Sequence, residues 1–139
     1  MIAIDSNVVV YYLLKSAPHH LEVRSWFNKQ TNPCVTTGTN FAEALRVLSH
    51  PQIFKNPFTL PNAYKSLRKL VEDYDISVLD ESSHWWMELD EVFSTIPELK
   101  TNDIFDARIA LCLRYNGVKE IFTYDEGFLR FPFLKIVRD

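Results

Sequence analysis

Short apolar runs alternate along this chain with longer stretches of helical period. Ile2-Ala3-Ile4 is a continuous apolar run, the pattern of a strand buried on both faces of a parallel sheet. Ser6 and Asn7 are good N-cap residues, and Val8 to Leu14 reads as the helix that follows. A turn over Lys15 to Pro18 leads into an amphipathic helix from His19 to Gln30, with Leu21, Trp26 and Phe27 inward. Cys34 to Thr37 is a short strand. Gly38-Thr39-Asn40 opens a helix from Phe41 to Leu48, with Thr39 in a capping arrangement and Phe41, Leu45 and Leu48 on one face. Two prolines mark His50 to Phe58 as a connection. A helix from Ala63 to Tyr74 turns Leu67, Leu70 and Val71 inward, and Ile76 to Leu79 alternates as a strand. Ser82 to Ser94 is a helix carrying Trp85, Trp86, Leu89, Val92 and Phe93. An apolar helix then runs to Tyr115 and stops at Asn116-Gly117. Glu120 to Thr123 and Leu134 to Val137 are the last strands. This alternation predicts an α/β sandwich around a largely parallel sheet.

Composition narrows the picture. At 139 residues, with 47% hydrophobic and 14% aromatic residues and only three glycines, the chain is expected to be one domain, 1–139, with a real core. Its net charge of −3 argues against a protein that coats nucleic acid, but not against an enzyme whose acidic site holds metal ions. Cys34 and Cys112 form no CxxC, which suits a reduced, cytoplasmic setting. No secretory signal and no membrane span are expected. His19 and His20 are adjacent on a helix and do not face one site, so they read as exposed residues at a helix start.

Four acids recur at equivalent places. Asp5 ends the first strand, Glu43 lies in the first turns after the second, Asp106 lies in the first turn of the long apolar helix, and Asp125 follows Glu120 to Thr123. In a parallel sheet those points share one edge, the edge where ligands collect. Each acid alone is equally well read as a helix cap or as a partner of the helix dipole. Together they would repel one another unless protonated or bridged by cations. Such oxygen ligands suit Mg²⁺ or Mn²⁺, which can activate water for in-line attack on a phosphodiester. Ser6, Asn7 and Thr123 are placed to hold waters or orient the carboxylates. Asp103 reads either as a further ligand or as a cap of its helix, and the cap is favoured. Lys65, Arg68 and Lys69 form a basic face that is most simply a solvated one.

The sequence resembles the PIN-domain ribonucleases, in particular the VapC-type toxins of bacterial toxin–antitoxin pairs. The matching pieces are Ile4-Asp5-Ser6-Asn7, the run from Asn40 to Leu48 with His50-Pro51 after it, Asp106-Ala107-Arg108-Ile109-Ala110, and Thr123-Tyr124-Asp125 with Phe128. Their order agrees and they span nearly the whole chain. The resemblance implies a PIN-like three-layer α/β/α sandwich and a Mg²⁺- or Mn²⁺-dependent endoribonuclease. It places the acidic positions on Asp5, Glu43, Asp106 and Asp125 and the hydroxyl positions on Ser6, where many relatives have threonine, and Thr123. It also implies an RNA substrate, a homodimer and a small antitoxin that covers the acidic site.

Three other readings stand beside it. A PIN nuclease of RNA maturation would use the same residues. A phosphotransfer domain with Asp5 as nucleophile lacks the companion acid two residues on, where Asn7 stands. A non-catalytic module with helix-capping acids would not require four of them to converge.

Overall fold

The computed structural model describes residues 1–138. Five strands, β1 (Ile2–Ile4), β2 (Cys34–Thr37), β3 (Ser77–Leu79), β4 (Glu120–Phe122) and β5 (Lys135–Val137), form one sheet in the order β3-β2-β1-β4-β5. Every neighbouring pair is parallel, so the expectation of a largely parallel sheet is met in full. Parallel neighbours require crossovers, and the helices supply them. These are α1 (Ser6–Leu13), α2 (His20–Lys29), α3 (Gly38–Leu48), α4 (Leu60–Asp73), α5 (Trp85–Thr95) and α6 (Asp103–Tyr115), with a 3₁₀ turn over Glu126–Arg130.

The central strands β1, β2 and β4 are buried on both faces, and the two-residue period of their side chains divides the core. Ile2, Ile4 and Phe122 face a cluster built from α1 to α4, including Val8, Val23, Trp26, Leu48 and Leu67. Ala3, Val35 and Ile121 face the opposite cluster, with Val92 of α5 and Ile109, Leu111 and Leu113 of α6. The result is a three-layer α/β/α sandwich. Ala107 and Ala110 are fully buried, so α6 lies close against its neighbours for want of larger side chains.

Helix phase and capping account for the departures from the expected elements. In α2 the inward set is Val23, Trp26 and Phe27, spaced i, i+3, i+4, whereas Leu21 lies off that stripe and is 82% exposed. Helix α3 starts at Gly38 and is capped by Thr37, whose Oγ1 accepts from Asn40 N at 3.1 Å, rather than by Thr39. In α5 Val92 is buried, whereas Trp86 and Phe93 are exposed. The basic residues of α4 are solvated: Arg68 pairs with Glu72 and Lys69 with Asp73 at i, i+4 spacing.

Phe122 joins the sheet to the α1–α4 layer, fully buried with its ring centroid 4.4 Å from that of Trp26. Phe122→Ala is expected to cost about 3–5 kcal/mol. Urea unfolding should register this as a lower midpoint at unchanged slope.

Candidate active site

The strand order fixes where the site is. From β1 the chain steps outward to β2 and β3, then returns to lay β4 on the other side of β1. The switch point of such a sheet lies between β1 and β4, beyond their carboxyl ends, where diverging loops leave a crevice. Ile4 pairs with Phe122 in register, so Asp5 and Thr123 leave the sheet side by side.

Asp5 is the buried centre of this crevice, only 4% exposed. Its Oδ1 accepts from Ser6 N at 2.8 Å, closing the start of α1, and from Asn40 Nδ2 at 2.9 Å. Its Oδ2 accepts from the hydroxyl of Thr123. The capping role expected of an acid here is therefore real, and it accounts for only one of three donors. In the sequence Asn40 reads only as a residue at the start of a helix, yet it is the keystone of the group. It is buried, donates also to Ser6 Oγ at 3.0 Å, and accepts at Oδ1 from Thr37 Oγ1 at 2.8 Å. The readable signal was a Thr-x-x-Asn spacing at a strand-to-helix junction, a relative of the capping box. Asn7 donates to Thr123 Oγ1 at 3.4 Å and accepts from Tyr124 N at 3.3 Å, which ties α1 to the loop after β4.

The other acids surround Asp5. Asp125 follows β4, with its N–H on Thr123 Oγ1 at 2.9 Å and its Oδ1 accepting from Gly127 N at 2.8 Å. Glu43 is half-buried on α3, and Asp106 half-buried in the first turn of α6. Asp103 is turned to a different partner. It is the first residue of α6 and does not cap that helix; it accepts from Lys100 N at 2.8 Å and takes a two-pronged contact from Arg130 at 2.9 and 3.2 Å. The same guanidinium stands 3.6 Å from Asp106. Gly127 makes room here, since a Cβ at that position would lie 2.9 Å from Asp125 Oδ1 and 3.1 Å from Arg130 Nη2. Arg130 carries no sequence signal, because its carboxylate partners lie more than twenty residues earlier in the chain.

The electrostatics report how crowded the acids are. Burial, and then the charges of Glu43 and Asp125, push the Asp5 carboxyl up to about 6 against the pull of its hydrogen bonds. Asp106 is pushed up to about 7 by burial and by the charges of Asp125, Asp5 and Glu43, with Arg130 opposing. Asp103 is held low by its bonds to Arg130 and Lys100. Asp5 and Asp106 thus both feel the charges of Glu43 and Asp125, while Asp103 is committed to Arg130. Among the described residues no three acidic, histidine or cysteine side chains close on one point as a ready-made cage. That is compatible with Mg²⁺, which keeps several waters and takes only one or two carboxylates directly. An all-carboxylate donor set whose charge disfavours its own ionisation fits a hard divalent cation.

The shifts fix a sign for pH dependence. Both carboxyls titrate higher in the folded chain than in the unfolded one. The stability they contribute is fully present below the ordinary value of 3.8 and is lost as pH rises through about 6 and about 7. In chelator, the thermal midpoint is expected to fall between about pH 4 and about pH 7, and Asp106→Asn to flatten that fall. A midpoint that rose across the same window would contradict the crowding.

Comparison with known proteins agrees with this architecture. The PIN domain family matches residues 2–134. The chain is 23% identical over 142 residues to ribonuclease VapC24 of Mycobacterium tuberculosis strain CDC 1551 / Oshkosh, covering 98% of this chain and 94% of that protein. Ribonuclease VapC24 of strain ATCC 25618 / H37Rv matches with the same figures. The crystal structure of Mycobacterium tuberculosis VapC20, described as a sarcin-ricin loop cleaving toxin, superposes over 100% of both chains with a TM-score of 0.77 at 14% identity, a likeness of fold. With a match over nearly its whole length and the sheet, switch point and buried aspartate in place, the chain belongs to the PIN domain family.

Proposed function

We propose that this chain is a Mg²⁺- or Mn²⁺-dependent endoribonuclease of the VapC type, the toxin of a toxin–antitoxin pair. The observation that carries the reading is the raising of both Asp5 and Asp106 by burial and by the charges of Glu43 and Asp125 at the switch point of the sheet. Relatives named ribonuclease VapC24, aligned over almost the full chain, support RNA as the substrate class.

In this reading Asp5 and Asp106 would hold the ion, with Glu43 and Asp125 beside them. When bound, the ion supplies activation of water and neutralises charge developing on the phosphodiester. The chain's own residues do the positioning. Asn40, Ser6 N and Thr123 fix both oxygens of Asp5, so the carboxylate is oriented before anything binds. Asn7 and the N–H of Asp125 hold Thr123 in place from the other side. Arg130 balances part of the charge at Asp106. No serine, cysteine or histidine nucleophile is called on.

The same proposal includes a homodimer and a cognate antitoxin that covers the acids. Exposed Trp86, Met87 and Phe93 of α5 offer an apolar face for a protein contact. It also places the protein in the cytoplasm, supported by two free cysteines. No helix among the described residues is long and apolar enough to cross a membrane.

Asp106→Asn is expected to lower the cleavage of cellular RNA by roughly 100-fold or more, the scale of several kcal/mol of charge stabilisation. Its far-UV circular dichroism should remain that of the parent. Cleavage by this variant at the parent rate with Mg²⁺ or Mn²⁺ present would remove Asp106 from the site.

A further inference from the structure

We propose that the cleft between α3 and α6 is the track along which a single strand of RNA reaches the acids, with one base stacked on Phe105 and an adjacent phosphate on Arg46. This rests on the nuclease reading above and extends it to how the substrate is held.

The cleft has a volume of about 720 Å³, large enough for a nucleotide. Its α3 wall carries Glu43 and Arg46 one turn apart, and its α6 wall carries Phe105 and Arg108. Glu43 lines this cleft, Phe105 on the opposite wall is the sequence neighbour of Asp106, and the charge of Glu43 acts on Asp5 and Asp106, so the cleft opens beside the candidate active site. Phe105 immediately precedes Asp106 in the first turn of α6 and is 51% exposed. An aromatic face in a polar groove is what a splayed base needs, and stacking tolerates any base.

Charge argues for the same occupant. The chain carries a net charge of −3 and its site is acidic, so an RNA backbone is repelled unless cations stand nearby. Arg46 is exposed and has no carboxylate within 4 Å among the described residues, in contrast to Arg68, Arg114, Arg130 and Arg138. Arg108 is a fixed part of the wall: Glu81 holds it at 2.9 and 2.6 Å, and its guanidinium lies 4.3 Å from the Trp85 ring centroid. A free cation, a free aromatic face and a carboxylate of the reaction site line one groove. A purely apolar partner helix would leave Arg46 and Glu43 to be buried unpaired, at a cost.

The test uses the full chain in two forms. In the Asp106→Asn background with Mg²⁺, fluorescence anisotropy follows binding of a labelled ten-nucleotide single-stranded RNA of mixed sequence. Phe105→Ala is expected to weaken binding roughly 5- to 100-fold, with Phe105→Tyr restoring it. Arg46→Ala is expected to weaken binding and reduce its salt dependence by about one phosphate contact. Lys65→Ala, on the far basic face, serves as the control and should bind like the parent. On the cleaving chain, the groove variants should raise KM and leave kcat in place. Unchanged RNA affinity in both Phe105→Ala and Arg46→Ala overturns the proposal. So does a change confined to sedimentation mass or to capture of a protein partner, which would make the cleft a protein contact. A parent chain that binds the strand through Phe105 and Arg46 without cutting it supports the track and overturns the nuclease reading. A chain that cuts RNA with KM indifferent to both residues does the reverse.

Discussion

The structure depends on a carboxylate kept where it is costly to ionise. Asp5 is buried at the end of the central strand, and three donors from three segments of the chain converge on it: Ser6 N from α1, Asn40 from α3 and Thr123 from the end of β4. Those bonds favour the charged form, while burial and the neighbouring Glu43 and Asp125 oppose it, and the opposition wins. The parallel sheet makes this possible. Its register sets Asp5 beside Thr123, and its crossovers bring α3 and α6 to the same edge. A fold that needed only to be stable would have no use for this arrangement; a site that must concentrate negative charge would.

Arg130 shows how the remaining charge is managed. It neutralises Asp103, leans on Asp106 and is accommodated by Gly127, so an organic cation stands at one flank of the cluster. The other flank opens into the cleft between α3 and α6. The cluster is thus asymmetric, closed by a guanidinium on the side of the 3₁₀ turn and accessible from the side of Glu43.

What the sequence disclosed follows from which interactions are local. Ile2-Ala3-Ile4 was legible as a strand because burial on both faces leaves an apolar run with no helical period, and Cys34 to Thr37 because β-branched residues between turn signals favour a strand. Asp5 and Asp125 were legible as acids just past the ends of strands; each alone also reads as a cap, which both are, and only their recurrence at one sheet edge pointed further. Asn40 was not, because an amide in a first helical turn looks like any cap, and its partners Asp5 and Ser6 are more than thirty residues away. Arg130 was hidden for the same reason. Leu21 was misplaced because Trp26 and Phe27 set the inward face of α2, and Val23, three and four residues before them, lies on that face, whereas Leu21, two residues earlier still, lies off it. Thr37 caps α3 two residues before Thr39, so Asn40 lies in the first turn of the helix, where its amide donates to Asp5.

The central claim is that these distant acids meet in order to hold a divalent cation. Crystals grown with manganese test it most directly, through anomalous scattering from the ion itself. The expected result is a peak within coordination distance of the carboxylates of Asp5 and Asp106, about 2.0–2.2 Å for a small hard cation. A crevice without anomalous density at saturating manganese, with the ion bound elsewhere or not at all, would contradict the claim.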